Sequence, residues 1–238
     1  MPECVLVVGA TGNIGVAAVK GALRSGRQVL AIVRNQASAD KLYRHVGSSE
    51  SITIVEASVT SDTGIKGVVD QVKAGVLPPF QHVYTCVGGE YTDVPLKDIT
   101  TERLRQNMNM SFEANFFAYR DTIGYLLEQN NPNSTWTICT GSQGDDAMFA
   151  LPAIGQGPLF SMATAAAREN EKTNVRMNEV YLMFRVEVDA AAAEHGVSSS
   201  SEFASVYEGI LANTEIRSSR VRVATPADFK DLKWAKKF

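Results

Sequence analysis

The richest chemistry in this sequence lies in the run Gly9-Ala10-Thr11-Gly12-Asn13-Ile14-Gly15. The apolar stretch Cys4–Val8 precedes it, and residues 16–23, apolar at helical spacing, follow it. A strand that turns through glycines into a helix has three uses for the missing side chains. Gly9 permits the tight turn, Gly12 lets backbone N–H groups approach a pyrophosphate, and Gly15 lets the helix pack close to the strand. The helix start then offers unsatisfied donors and a positive dipole end to an anion. The run therefore predicts dinucleotide binding by Gly9, Thr11, Gly12, Asn13, Ile14 and Gly15; the alternative is a tight turn without a ligand. The next strand ends in Val33-Arg34-Asn35. An NAD(H) site usually places an acid here to accept from the ribose 2′-OH. Arg34 suits a 2′-phosphate instead. The expected cofactor is NADP(H) rather than NAD(H), unless Arg34 is a plain surface arginine.

Positioning such a turn requires a particular order of elements. Residues 28–33 read as a strand, 39–46 as a helix, 52–55 as a strand, 65–73 as a helix and 82–87 as a fourth strand. A long helical stretch spans 100–129, with room for a break, and 130–134 is a turn cluster. Residues 135–139 form a fifth strand, 141–157 a long irregular loop, and 158–172 an alanine-rich helix that starts on Pro158. A sixth strand lies within 175–184, a helix spans 202–211, and 221–224 is a short last strand. The basic tail 228–238 is read as a terminal helix. Strands alternating with helices imply an α/β fold: a Rossmann-type doubly wound parallel sheet of about seven strands with helices on both faces. No repeat or linker divides the chain, so residues 1–238 are expected to form a single domain.

Composition narrows the function classes. The 238 residues are 45% hydrophobic, enough for a sizeable core, and the net charge is only −3. No basic stripe interleaves with aromatics, so nucleic acid is not an expected partner. Three cysteines at these spacings fit neither a zinc site nor a disulfide framework, and His45, His82 and His195 have no ligand-spaced partners, so no metal is expected. No signal peptide and no membrane-spanning run is read, and the expected setting is the reducing cytoplasm. Cys86 and Cys139, at two strand ends, read as buried thiols bordering the cofactor.

Beyond the glycine turn, the chain resembles the short-chain dehydrogenase/reductase superfamily over nearly its whole length. Val5 to Gly15 (VLVVGATGNIG) looks like the nucleotide turn of the extended and atypical branches. Ser58-Val59 resembles the pair that flanks the adenine, with Ser in place of Asp. Thr85-Cys86-Val87-Gly88 lies where the typical branch has Asn-Asn-Ala-Gly, and Ile138 to Ser142 resembles the strand end that carries the catalytic serine. The resemblance implies that Ser58, Val59, Cys86, Val87, Gly88 and Thr140 border the cofactor and that Ser142 donates to a substrate carbonyl. It also implies a small-molecule substrate and a homodimer packed through residues 100–129 and 158–172. The family's Tyr-x-x-x-Lys pair is missing: Phe160 and Thr164 stand in its place, and neither can serve as acid or charge. Leu182-Met183 replaces the family's Pro-Gly, and its Asn position falls on Asn109, Ser111 or Asn115. Tyr181 and Asp145 are candidates for the missing proton donor, against bland readings as a wall tyrosine and a solvated acid.

Three functions follow. The first is an NADP(H)-dependent oxidoreductase of a carbonyl or imine with a non-standard proton donor. The second is an enzyme of natural-product biosynthesis that uses the same pocket for isomerisation, cyclisation or rearrangement. The third is a non-catalytic NADP(H) sensor like the NmrA-like regulators.

Overall fold

The computed structural model describes residues 2–89 and 91–238. Along the chain run β1 (Cys4–Val8), α1 (Asn13–Arg24), β2 (Gln28–Val33), α2 (Gln36–Val46), β3 (Ile52–Glu56), α3 (Gly64–Lys73) and β4 (His82–Thr85). Next come α4 (Thr101–Met108), a π turn (Asn109–Glu113), α5 (Ala114–Gln129), β5 (Thr135–Gly141), α6 (Gln143–Asp146) and α7 (Ala150–Glu169). The chain ends with β6 (Arg176–Leu182), β7 (Val186–Glu187), α8 (Asp189–His195), β8 (Ser198–Ser199), α9 (Ser200–Ala212), β9 (Ser219–Val223) and β10 (Lys233–Lys236). No helix among the described residues is long and apolar enough to cross a membrane.

Eight strands form one sheet in the order β10-β9-β6-β5-β4-β1-β2-β3. All neighbours are parallel except the β10–β9 pair. The α/β doubly wound architecture expected from the alternation is therefore present. Alternating side chains split its core in two. Cys4, Leu6 and Val8 of β1 pack with Ile65, Val68, Phe117, Leu126 and Leu159 from α3, α5 and α7 on one face. Val5 and Val7 pack with Val16, Val19, Leu42, Phe203 and Ile210 from α1, α2 and α9 on the other. Strand order reverses between β1 and β4, which opens a crevice beyond their carboxyl ends.

Two expectations need correction. The tail is not a helix: residues 233–236 add an eighth, antiparallel strand to the edge of β9, and the Lys237 N–H continues the ladder to the Ser218 carbonyl at 2.9 Å. A buried charge explains the choice. Glu179 on β6 is fully buried and needs cations. It takes Arg220 Nε at 2.9 Å, the Thr140 hydroxyl at 2.7 Å and the Lys237 ammonium, and an extended tail delivers that ammonium to the sheet. Second, the 141–157 stretch is mostly helical. Only Ala147, Met148 and Phe149 separate α6 from α7, and α7 starts two turns before Pro158. Pro158 removes one helical bond, to the Ile154 carbonyl, and burial of Leu151, Pro152 and Leu159 carries the helix through it. The break allowed for in the 100–129 helical stretch is a π turn at Asn109–Glu113. Just beyond that turn, buried Asn115 accepts from the Thr85 hydroxyl at 2.6 Å and donates to the Val87 carbonyl at 2.7 Å, tying the helix to the end of β4.

At the opposite, amino-terminal end of the sheet, Glu3 bonds buried His82 at 3.0 Å and Arg27 at 2.9 Å. The His82 hydrogen bond leads in holding the Glu3 carboxyl down at about 2, against an ordinary 4.5. Desolvation holds His82 below its ordinary 6.5. Both groups therefore add stability at neutral pH and give it up on acidification, His82 below 6.5 and Glu3 between 4.5 and about 2. Glu3→Gln is expected to lower the melting temperature at neutral pH by about 3–6 °C, for a lost charged hydrogen bond of roughly 1.5 kcal/mol. It should also flatten the acid limb of the stability profile. Thermal melts of both proteins across that range check this, and parallel acid limbs would refute it.

Candidate active site

Gly9 leaves β1 with a φ of +88°, and a side chain there would press on the backbone of Cys86 and Val87 at 3.3 Å. A Cβ on Gly15 would lie 2.1 Å from the Gly9 carbonyl oxygen, so only glycine lets α1 start this close to the strand. Gly12 differs: a Cβ there would meet nothing nearer than the Gly9 oxygen at 3.6 Å. Gly12 is the N-cap of α1, with no side-chain cap and no acid in the first turn. The helix start is thus left open to an anion. Asn13 Oδ1 accepts from the Val188 N–H at 3.1 Å, and the Ser200 hydroxyl bridges the Asn13 and Glu187 carbonyls at 2.7 and 3.0 Å. These bonds fold the segment after β6 down onto the turn.

From that turn a cleft of about 800 Å³ runs across the carboxyl ends of β4, β5 and β6. Of the residues singled out in the sequence, Gly12, Asn13, Ile14, Cys86, Val87, Gly88, Thr140 and Ser142 line it. Gly9, Thr11 and Gly15 shape the turn behind the lining. Arg34 and Ser58 lie exposed after β2 and β3, outside the cleft on its nucleotide-turn side, and Val59 packs on the core. Among the described residues Arg34 makes no side-chain hydrogen bond or ion pair. Thr140 lines the cleft, yet its hydroxyl is committed to Glu179. Ser142 is buried, its N–H bonded to the Leu182 carbonyl at 2.9 Å, and its hydroxyl has no partner among the described residues. Burial pushes the thiols of Cys86 and Cys139 up, the latter to about 12, so neither is a thiolate at neutral pH.

Tyr181 and Asp145 are brought together, but not in the cleft lining. The phenol donates to Asp145 Oδ2 at 2.8 Å, and desolvation followed by that bond pushes it up to about 12. Phe160 is likewise off the cleft: it packs on Tyr181 at 5.7 Å under the Arg220 guanidinium. Thr164 turns its hydroxyl back to the Phe160 carbonyl. Because α7 starts at Ala150, the side chain it sends into the cleft is Gln156, one turn before Phe160. The Gln156 carbonyl oxygen accepts from the Gly141 N–H at 2.9 Å, and its amide N–H groups have no partner among the described residues. Tyr91 and Phe149 complete this end, and neither stood out in the sequence. Among the described lining residues the charged ones, Arg185 and Glu187, pair at 2.9 Å. His195, 2.6 Å from Glu187, leads in holding that carboxyl below its ordinary range.

The short chain dehydrogenase family profile matches residues 3–191 of this chain. A Pestalotiopsis fici protein named short-chain dehydrogenase/reductase iacG is 53% identical over 242 residues, spanning 100% of this chain and 97% of its own. The chain belongs to the short-chain dehydrogenase/reductase family. Among solved structures, a short-chain type dehydrogenase/reductase from Mycobacterium ulcerans superposes with a TM-score of 0.80 at 15% identity, over 93% of this chain and 88% of that one. An NADPH-bound short chain oxidoreductase from Pseudomonas aeruginosa PAO1, described as containing an atypical catalytic center, superposes at 0.77 with 14% identity, over 93% and 95%. Both share the fold.

This is a family of oxidoreductases that bind nicotinamide cofactors and act on small molecules. The turn of this member fits such a group, since of its three glycines only Gly12, at the open helix start, has room for a side chain. The two glycines should therefore separate by stability. Gly15→Ala is expected to cost about 3 kcal/mol through backbone overlap, lowering the melting temperature by about 6–12 °C. Gly12→Ala should stay within about 3 °C of the parent. Equal losses in calorimetry would refute the difference in packing.

Proposed function

We propose that this chain is an NADP(H)-dependent oxidoreductase that reduces a carbonyl or imine of a small organic compound through a non-standard proton donor. One observation carries the reading: a single cleft joins the open start of α1 to the unpartnered Ser142 hydroxyl. Gly12, Asn13 and Ile14 would hold the pyrophosphate, Arg34 would meet a 2′-phosphate, Ser58 and Val59 would flank the adenine, and Cys86, Val87, Gly88 and Thr140 would border the nicotinamide. Bound there, the dinucleotide supplies hydride. Ser142 polarises the substrate carbonyl, and the apolar walls exclude water from it. An NADPH-bound neighbour with an atypical centre supports this reading by fold.

The missing Tyr–Lys pair also favours a second reading, non-redox chemistry in the same cleft. No lysine lines the cleft among the described residues, and Gln156 occupies it in place of a helix tyrosine. The open substrate end speaks for an enzyme over a sensor. The test is turnover of NADPH or NADH with a panel of aldehydes, ketones and cyclic imines, following loss of reduced nicotinamide and formation of product. NADPH should be preferred, and Arg34→Ala should erase about 10–100-fold of that preference, the worth of one or two charged hydrogen bonds. Ser142→Ala should lower kcat by about 100-fold or more. Product formed with no net change in nucleotide would overturn the redox reading in favour of the second.

A further inference from the structure

We infer that Tyr91, carried on the segment that leaves β4, is the proton donor of this site and that its substrate is an uncharged, largely apolar carbonyl compound. The inference rests on the proposed reduction and assigns the group that the family's helix tyrosine would otherwise supply.

Tyr91 lines the cleft, while Tyr181 and Phe160 do not. Its ring meets Phe149 edge-on, centroids 6.4 Å apart. Its hydroxyl lies 3.8 Å from the point a Cβ of Gly141 would occupy, which sets it over the residue next to Ser142. Gln156 is anchored on the N–H of that same Gly141. Three donors thus gather around Gly141: Tyr91 Oη, Ser142 Oγ and the Gln156 amide. None has a hydrogen-bond partner for these donors among the described residues. Two hydroxyls and an amide N–H without acceptors of their own can all donate to an oxygen that gains negative charge. The surrounding walls are Phe149, Leu182, Met183 and Phe184. Among the described lining residues the two charged side chains, Arg185 and Glu187, pair with each other, and the rest of the wall is uncharged.

The chemistry balances. A C–H bond forms at the carbonyl carbon, with its electron pair arriving as hydride from the reduced nicotinamide of the proposed function. The π pair of the C=O moves to oxygen, and the O–H bond of Tyr91 breaks to protonate it. Water returns a proton to the phenolate, because Tyr91 is 60% exposed overall. That exposure also makes Tyr91→Phe safe for the fold.

The decisive experiment reads the donors without turnover. Para-nitrophenolate, a coloured oxyanion with an apolar ring, is titrated into the wild type, Tyr91→Phe, Ser142→Ala and Tyr181→Phe, with melting temperatures recorded for each. Tyr91→Phe should bind it about tenfold more weakly, as should Ser142→Ala, the worth of one charged hydrogen bond apiece. In the carbonyl panel, Tyr91→Phe should lose about 100-fold or more in kcat with an unchanged KM for NADPH. Equal nitrophenolate binding by wild type and Tyr91→Phe, including none by either, would overturn the assignment. So would a loss carried by Tyr181→Phe instead. NADPH binding is measured separately: its absence from the wild type counts against the cofactor reading, while the nitrophenolate contrast still decides Tyr91.

Discussion

At the carboxyl end of β1 three stretches of backbone meet with no room for a side chain between them. Gly9 turns out of the strand against the backbone of Cys86 and Val87, and Gly15 brings α1 onto the Gly9 carbonyl. This crowding fixes where α1 begins, and so where its unsatisfied N–H groups point. It also fixes the end of β4, which Asn115 pins from the other side. The reversal of strand order between β1 and β4 turns that end of the sheet into a crevice, and the packed turn becomes its floor.

A second constraint acts at the far side of the cleft. Glu179 is a charge with no water, placed in the middle of a sheet. Leaving it unpaired would cost several kcal/mol, and its partners come from three places: Thr140 at the end of β5, Arg220 on β9 and Lys237 beyond β10. Arg220 also covers the rings of Tyr181 and Phe160. One buried carboxylate thus ties the sheet edge to β6, commits the Thr140 hydroxyl, and holds the guanidinium that covers Tyr181 and Phe160. The donors left facing the cleft are those around Gly141.

Much of this was legible in the sequence because it is local. Glycines forced by close approach, strands buried on both faces and helices with one apolar side leave short-range patterns, and these placed the glycine turn and seven of the sheet's strands, while Ser142 stood out only through the family resemblance. The misses are non-local. The tail reads as a basic helix until a buried acid on β6 calls for its lysine. Pro158 carries a helix-start signal, yet α7 starts two turns earlier, and the resemblance that set Phe160 at the tyrosine's place gave no sign of Gln156. Tyr91 lies on a segment without periodicity, and its meaning comes from Phe149 and Gly141, which are remote in sequence. An aromatic residue just past a Gly-Gly at a strand's carboxyl end was the signal available for it.

The central claim is that the cleft over the glycine turn holds a dinucleotide. The most direct measurement is a calorimetric titration of NADPH into the wild type and into Gly12→Ala, the glycine that the fold itself does not require. The account predicts micromolar binding to the wild type and at least about tenfold weaker binding to the equally folded variant. Equal affinities in the two proteins, or no binding by the wild type, would contradict it.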